Sequence, residues 1–330
     1  MDRITGIQGV LMRRRLLSLA SLGLALLLAG CSTWAARMFT RSMSRINEPI
    51  APAPSMITQP IQPSADLAVA WVGHATALIQ MYDKLVMTDP LFTGTVGIVV
   101  KRYIAPGIDP AILPKLDATL ISHTHFDHFS YGSIEQLPRN GILAIPLGAL
   151  RYTPEFGFRA VYELSPWESI EDSGLTITAV PVQHFSGRYG FDGAWMRDHG
   201  FTGYVVQYKD LTIFFAGDTG YHSEHFKEIG RRFTIDLAVI PIGPGGSWEV
   251  GSRIHVHPRG ALMIFQDVRA DYMLPVHHKT LFYGFEQDPA QSIITLRALA
   301  AEMGLSDRIV DLDVGEQQVI IPSSRPPVTP

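Results

Sequence analysis

His123-Thr124-His125-Phe126-Asp127-His128 follows directly on the apolar run Ala118-Thr119-Leu120-Ile121-Ser122, so three imidazoles and a carboxylate crowd onto one turn at the end of a strand. Imidazole nitrogen and carboxylate oxygen are the ligands zinc takes at about 2.0–2.2 Å, and a catalytic zinc keeps one position open for water. The crowding therefore points to metal, and to two ions rather than one. A dinuclear centre needs ligands that six residues do not supply. Three further runs rich in β-branched and aromatic residues provide them. Residues 175–183 lead into His184, residues 211–217 into Asp218, and residues 272–276 into His277. Four strand-like runs that each stop at a ligand-type residue imply a sheet core with those residues converging on one edge, on loops held by a rigid scaffold.

Chemistry assigns the roles. His123, His125 and His184 are expected to hold one zinc and Asp127, His128 and His277 the second. The Asp218 carboxylate bridges them, and a shared water or hydroxide completes both. Zinc lowers the pKa of bound water to about 7, and a pair about 3.5–4 Å apart stabilises attacking and leaving oxygens, so hydrolysis is the expected reaction. Asp127 counts with the catalytic residues as well as with the ligands. An extra carboxylate at position 125 would suit a redox di-iron centre; the imidazole there favours zinc.

Several segments between residues 68 and 320 carry a resemblance. They are Trp71-Val72-Gly73-His74-Ala75-Thr76, Thr88-Asp89-Pro90-Leu91-Phe92, the 123–128 cluster, Glu163-Leu164 with Trp167-Glu168-Ser169, Gln183-His184-Phe185-Ser186-Gly187-Arg188 and Ala216-Gly217-Asp218-Thr219-Gly220-Tyr221. The metal motif resembles that of the metallo-β-lactamase superfamily. Gly-His-Ala-Thr and Gln-His-Phe-Ser-Gly-Arg resemble, within it, the branch containing N-acylphosphatidylethanolamine-hydrolysing phospholipase D. The resemblance implies an α/β fold, a four-layer αβ/βα sandwich with the metals at one edge. It also implies a substrate-side catalytic histidine at His255, in His255-Val256-His257-Pro258. The branch's Val/Ile-His pattern favours His277 over the adjacent His278 as ligand. Two positions depart from the branch: it has Asn or Asp where this chain has His257, and Ala-Tyr where this chain reads Pro244-Gly245-Gly246.

Other residues carry less. His74 reads equally as support for the site or as a hydrogen-bonded core histidine, and His199, His222 and His225 read as loop or helix-surface residues. Gly243-Pro244-Gly245-Gly246 lacks the spacing of a dinucleotide loop, and no G-x-S-x-G elbow of a serine hydrolase occurs.

Arg13-Arg14-Arg15 precede an apolar stretch over 16–29, the charged region and hydrophobic core of a signal peptide. That stretch is shorter than the about 20 residues a membrane span needs. It ends Leu28-Ala29-Gly30-Cys31, which resembles a bacterial lipoprotein processing box, and Cys31 is the chain's one cysteine. Met12 stands just before the arginines and is an alternative start. The expected organisation is a signal peptide over 1–31 ending in lipidated Cys31, a Pro-rich linker or arm over 32–66, one hydrolase domain over 67–321 and a loose tail over 322–330. Strands are expected near 67–72, 77–88, 117–122, 142–145, 175–183, 201–216, 236–241 and 272–276. Helices are expected near 131–137, 222–231, 258–267 and 289–303, the last capped by Asp288-Pro289.

The net charge of −4, with no basic run beyond the signal region, disfavours nucleic acid as a partner. Small molecules or phospholipids are the expected substrates, and membrane lipid the expected partner through Cys31. That places the protein in a bacterial envelope facing the periplasm, on the outer membrane in preference to the inner. The oligomeric state stays open between a single chain and a homodimer. The reading is thus a lipid-anchored, two-zinc phosphodiesterase acting on phospholipid-type substrates. Its rivals are a lactonase or other small-ester hydrolase, since fold and metals do not fix substrate, and a metal-binding envelope lipoprotein without turnover. The anchor is testable by itself. Cys31→Ser should abolish lipid attachment, because stable membrane binding needs two acyl signals and the diacylated cysteine provides them. Mass spectrometry of the mature N-terminus decides; any start other than lipid-modified Cys31 refutes the assignment.

Overall fold

The computed structural model describes residues 40–323 apart from 42, 98–99, 190, 195, 197, 244–253 and 283–287, so Cys31 and the signal segment lie outside the described residues. Apolar stretches near the start form β1 (Ala65–Gly73), β2 (Thr76–Met81) and β3 (Lys84–Thr88). A short antiparallel pair, β4 (Thr95–Val96) and β5 (Val100–Arg102), precedes β6 (Ala118–Leu120), helix α1 (Tyr131–Ile134), β7 (Ile142–Pro146) and β8 (Ala160–Leu164). Then come β9 (Ser169–Asp172), β10 (Leu175–Val180), β11 (Gly203–Tyr208) and β12 (Leu211–Phe215). The remainder alternates: α2 (Ser223–Arg232), β13 (Leu237–Pro241), α3 (Pro258–Val268), β14 (Tyr272–Val276), β15 (Leu281–Phe282), α4 (Gln291–Glu302) and β16 (Gln317–Pro322).

Two large sheets result, in the orders β16-β1-β2-β3-β6-β7-β8 and β14-β13-β12-β11-β10-β9. Each is antiparallel on one side and parallel on the other. The parallel joins are β3-β6-β7-β8 in the first and β12-β13-β14 in the second. Parallel neighbours need crossovers, and α2 and α3 supply them in the second sheet. Successive strand residues point to opposite faces, and the chain uses this to feed two cores. Val69, Trp71, Ile79, Ile177, Ile213 and Val239 fill the space between the sheets. The intervening Phe214, Ala238 and Ile240 pack outward against Phe226, Ile264, Phe265 and Leu296 of the helices. The outer face of the first sheet is covered more thinly, largely by connecting segments that contribute Ile57, Ile108, Leu113 and Leu116. This is the expected single-domain sandwich, mixed α/β with helices outside paired sheets.

Several elements differ from expectation for local reasons. The run 77–88 is a hairpin, β2 and β3, because Tyr82 at φ 55° reverses the chain; Lys209 at φ 55° does the same between β11 and β12. Helix α4 begins two residues later than Asp288-Pro289 suggested: the Asp288 carboxylate accepts from Ala290 N at 2.9 Å, in the turn before the helix. Strands β4, β5, β8, β9, β15 and β16 are additional, and β16 closes the first sheet by pairing with β1. The Pro-rich arm does not stand away from the domain along 51–62. Ile57 is buried, Ala51 N and Ile57 N donate to Tyr103 O and Gly107 O, and Gln62 exchanges hydrogen bonds with Gln80.

The crossing of α2 and α3 depends on Gly230, where an added Cβ would meet Asp267 O at 2.3 Å. Gly230→Ala gains about 1 kcal/mol of helix propensity but forces the helices apart, an overpacking cost of about 1–3 kcal/mol. Its urea midpoint should fall while its metal content stays at the wild-type level. A midpoint equal to or above wild type would mean the crossing is not tight.

Candidate metal centre

The C-terminal ends of β1, β3, β6, β10, β12 and β14 meet at one edge, and each is followed closely by an ionisable residue: His74, Asp89, His123, His184, Asp218 and His277. His123, His125 and His184 form one group, and His74, Asp127, His128 and His277 a second; within each, ligand atoms lie within 4.8 Å of one another. Asp218 stands between them. It groups with His184 and His255, while its Oδ2 lies 3.3 Å from His128 Nε2 and 3.1 Å from His277 Nε2. The residues assigned as ligands from the sequence are thus brought together, and His74 and His255 join them. His255 Nδ1 is 3.4 Å from Asp218 Oδ2, and its side chain is 28% exposed, so it faces the opening.

His278 belongs to none of these groups and stacks on Trp71 at 4.5 Å. His74, which the sequence left between two roles, lies with Nε2 3.3 Å from Asp127 Oδ2. Its carbonyl accepts from Trp71 Nε1 and from His277 N, both at 3.0 Å, which locks β1 to the end of β14. Asp89, to which the sequence assigns no role, is fully buried and accepts from His128 Nδ1 at 2.6 Å. The available signal was its place, the first residue beyond β3.

Two loops are tied together by Arg188. Its guanidinium lies 3.9 Å from the Tyr131 ring centroid and 4.4 Å from that of Phe126, and Nη1 donates to Phe129 O at 2.8 Å and Thr124 O at 3.2 Å. Those carbonyls flank the ligand turn, so the Gln183-to-Arg188 segment clamps that turn as well as supplying His184. His257 caps α3, its Nδ1 accepting from Arg259 N at 3.3 Å. Trp195, Tyr283 and the side chain of Phe191 lie outside the described residues, as does the 244–246 loop. Phe282 is buried against Tyr103 and does not line an opening. The exposed apolar side chains beside the ligands are Phe126, Phe185, Tyr189 and Ile254.

The donor set fits metal. His184 Nε2 and Asp218 Oδ1 are buried without a hydrogen-bond partner, and His184 Nδ1 is already committed to Ile254 O at 2.7 Å. His123 Nε2 and His125 Nδ1 face each other at 2.8 Å. Buried polar atoms left unpaired cost about 1–3 kcal/mol each, and a divalent cation bound among them would remove that cost.

Charge is divided unequally. Burial, reinforced by His128 at one and His255 at the other, pushes His123 and His184 well below the ordinary histidine range; burial outweighs Asp127 to put His125 at about 4. In the second group burial also pulls downward, but Asp218 leads the opposing carboxylates. His128 is held well above the ordinary value and His277 at about 9. Burial would raise Asp127 and Asp218, yet the facing imidazoles, His128 first for Asp127 and His277 first for Asp218, hold both carboxyls well below 3.8.

The beta-lactamase superfamily domain matches residues 84–278 of the chain. The chain belongs to the metallo-β-lactamase superfamily. It is 30% identical over 300 residues to N-acyl-phosphatidylethanolamine-hydrolyzing phospholipase D 1 of Caenorhabditis elegans, covering 83% of this chain and 82% of that protein. It is 29% identical over 252 residues to a metal-dependent hydrolase of Methanopyrus kandleri, covering 76% of this chain and 98% of the other. The isothiocyanate hydrolase from Delia radicum gut bacteria has the same fold, with a TM-score of 0.60 and 19% identity over 78% of this chain and 100% of that one. The protein is accordingly a metal-dependent hydrolase of the metallo-β-lactamase superfamily. In a superfamily member with this charge division, ligands must be deprotonated to bind metal. His128 and His277 carry protons near neutral pH because their values are raised, whereas His123, His125 and His184 do not. Metal uptake by the second group should therefore release protons and strengthen as pH rises toward about 9, the His277 value. Uptake by the first should release almost none. Calorimetric titration of the EDTA-stripped protein in buffers of different ionisation enthalpy measures this; equal release by both steps contradicts the charge division.

Proposed function

We propose that the protein is a two-zinc phosphodiesterase acting on phospholipid-type substrates, resembling the N-acylphosphatidylethanolamine-hydrolysing branch of its superfamily. The observation that carries this reading is the placing of Asp218 between two histidine-rich groups, which suits a shared carboxylate ligand. Zinc bound to His123, His125 and His184, and to Asp127, His128 and His277, with Asp218 common to both, would supply Lewis acidity toward phosphoryl oxygens and an acidified water as nucleophile. The chain's own residues do the rest. Asp127 is fixed by imidazoles on two sides, 3.3 Å from His74 Nε2 and 3.8 Å from His277 Nε2, so it stays ionised and oriented. Burial leads the causes that lower the His255 pKa, so it meets the substrate as a neutral ring whose N–H donates to a phosphoryl or leaving-group oxygen.

Substrate class rests on two further features. The similarity to the Caenorhabditis elegans phospholipase runs over most of both chains, and Phe126, Phe185, Tyr189 and Ile254 present apolar surface beside the ligands where acyl chains would lie. A tether at Cys31 would bring this opening to the bilayer, on the periplasmic face and at the outer membrane by preference. Among the described residues no helix is long and apolar enough to cross a membrane.

The zinc-loaded protein is expected to turn over phospholipid or bis-aryl phosphodiesters well above simple lactones and carboxyl esters. His255→Ala should lower kcat by about 100-fold, the scale of a lost general acid or donor, with zinc content unchanged. Comparable or faster lactone turnover without phosphodiesterase activity would transfer the protein to the lactonase reading, and loss of zinc in His255→Ala would make His255 a ligand.

A further inference from the structure

We propose that the segment around Arg37, Phe39, Arg41 and Met43, just upstream of the docked arm, is a membrane-surface element that binds anionic phospholipid, and that Arg45 latches it to the domain so that the opening of the site faces that surface. The proposal needs no particular substrate, no bound metal and no acyl chain at Cys31.

Charge and periodicity single the segment out. The chain carries a net charge of −4, yet residues 32–46 include Arg37, Arg41 and Arg45 and no Asp or Glu. The arginines stand four apart, which sets them on one face of a helix, whereas Phe39, Met43 and Ile46 recur at i, i+4 and i+7 on another. Residues two apart on a helix do not face each other, so the positions of Arg41 and Met43 belong to different faces. A basic face beside an apolar one is the pattern of a helix lying in a membrane interface, its cations at anionic headgroups and its apolar side chains at the acyl boundary. Upstream of Thr40 the pattern is that of the sequence, because those residues lie outside the described ones.

The described end of the segment has the expected form. Residues 40, 41 and 43–45 are helical, Ser44 Oγ donates to Arg41 O at 2.8 Å, and turns follow through Ile46 N to Met43 O and Glu48 N to Arg45 O. Arg45 is turned onto the domain. Its guanidinium lies 4.6 Å from the Phe282 ring centroid and 5.8 Å from that of Tyr103, with the Glu48 carboxylate 3.9 Å away. Met43 is 38% exposed and, among the described residues, joins no part of the core. With Arg45 held inward, the apolar side that Met43 begins is directed away from the protein. Positive charge beside it selects an anionic surface as its partner.

The latch leads to the site. Phe282 pairs with Lys101 in a three-stranded sheet of order β15-β5-β4, and Lys101 Nζ donates to Ile46 O. Lys101 also pairs with Thr95 of β4. Gly97, at the turn, is two residues beyond Thr95, about 7 Å of strand. A Cβ built at Gly97 would lie 4.0 Å from Phe126 Cδ2, and Phe126 is the exposed aromatic of the ligand turn. One small sheet therefore carries the segment at one end and borders the opening at the other. A bilayer that holds the segment lies beside Phe126 and Tyr189.

The processed chain from residue 31, carrying Cys31→Ser, keeps every described residue and lacks both the apolar signal core and the acyl chains. In sedimentation with vesicles it should bind mixed phosphatidylglycerol and phosphatidylcholine well above pure phosphatidylcholine. The difference should vanish toward 1 M salt, where screening acts within about 3 Å. Arg37→Gln with Arg41→Gln should weaken low-salt binding about 30-fold, the scale of two arginines at an anionic surface. Phe39→Ser with Met43→Ser should weaken it about 10-fold through lost apolar burial. Equal binding to both vesicles, or wild-type binding by either double variant, overturns the membrane element. A dimer that forms without vesicle binding overturns it too, since the apolar side then belongs to a second copy. Orientation is read separately. Cys31 is the only cysteine, so the Cys31→Ser chain accepts a single nitroxide through Tyr189→Cys beside the opening or through Asp83→Cys at the opposite β2–β3 turn. Vesicles should shield the first label, and not the second, from a water-soluble nickel chelate, and Arg45→Ala should abolish that contrast. Equal shielding of the two labels, or an undiminished contrast in Arg45→Ala, overturns the latch.

Discussion

Asp218 lies 3.1 Å from His277 Nε2 and 3.3 Å from His128 Nε2, with all three side chains buried. Bringing ionised carboxylates out of water costs several kcal/mol per ion unless opposite charge and hydrogen bonds compensate. Here the compensation comes from the protonated imidazoles of His128 and His277 facing the carboxylates, and a divalent cation held by the same residues would supply it in place of those protons. The three-histidine group beside it has no carboxylate of its own except Asp218 at its border, which is why burial leaves it neutral while the second group holds protons. One carboxylate thereby stands between two groups of different electrostatic character.

That arrangement dictates the scaffold. No single strand can present side chains from six directions, so the fold ends β1, β3, β6, β10, β12 and β14 at a common edge and places the ionisable residues just beyond them. Tight turns at those ends put His74, Asp89 and His277 at φ 56°, 30° and 62°. Such conformations cost about 1–3 kcal/mol each and persist where surrounding contacts fix them. The contacts are present: the His74 carbonyl is bonded by both Trp71 and His277, and Asp89 is bonded through its backbone and carboxylate alike. Rigidity here serves geometry, since a ligand displaced by an ångström no longer reaches a common ion.

The surroundings are layered about this centre. Arg188 binds the ligand turn through two backbone carbonyls and lies among Phe126, Phe129 and Tyr131, so a cation is held by aromatic faces and carbonyl dipoles. Its position four residues after His184 makes one loop serve both as ligand donor and as brace. Outside these, Phe185 and Ile254 are each adjacent in sequence to a histidine of the site. Apolar surface at the opening is therefore a consequence of where the ligands sit on the chain.

By itself the sequence determined the alternation that makes sandwich strands, the ligand residue types, and their recurrence just after strand-like runs. Each is a short-range property: side-chain period, β-propensity, and a donor next to a turn. His123, His125, Asp127 and His128 were legible because they are neighbours, and His184, Asp218 and His277 because each ends an apolar run. The tertiary structure alone decided what depends on distance through space. His74 joins Asp127 although 53 positions separate them in the chain, and Asp89 reaches His128 across 39. The division of runs 77–88 and 201–216 into hairpins, and the closing of the first sheet by β16, were set likewise by pairing between strands. Protonation follows the same rule: histidine is one residue type in the sequence, but burial separates those that remain neutral from those that facing carboxylates keep charged, and only the folded arrangement supplies either influence.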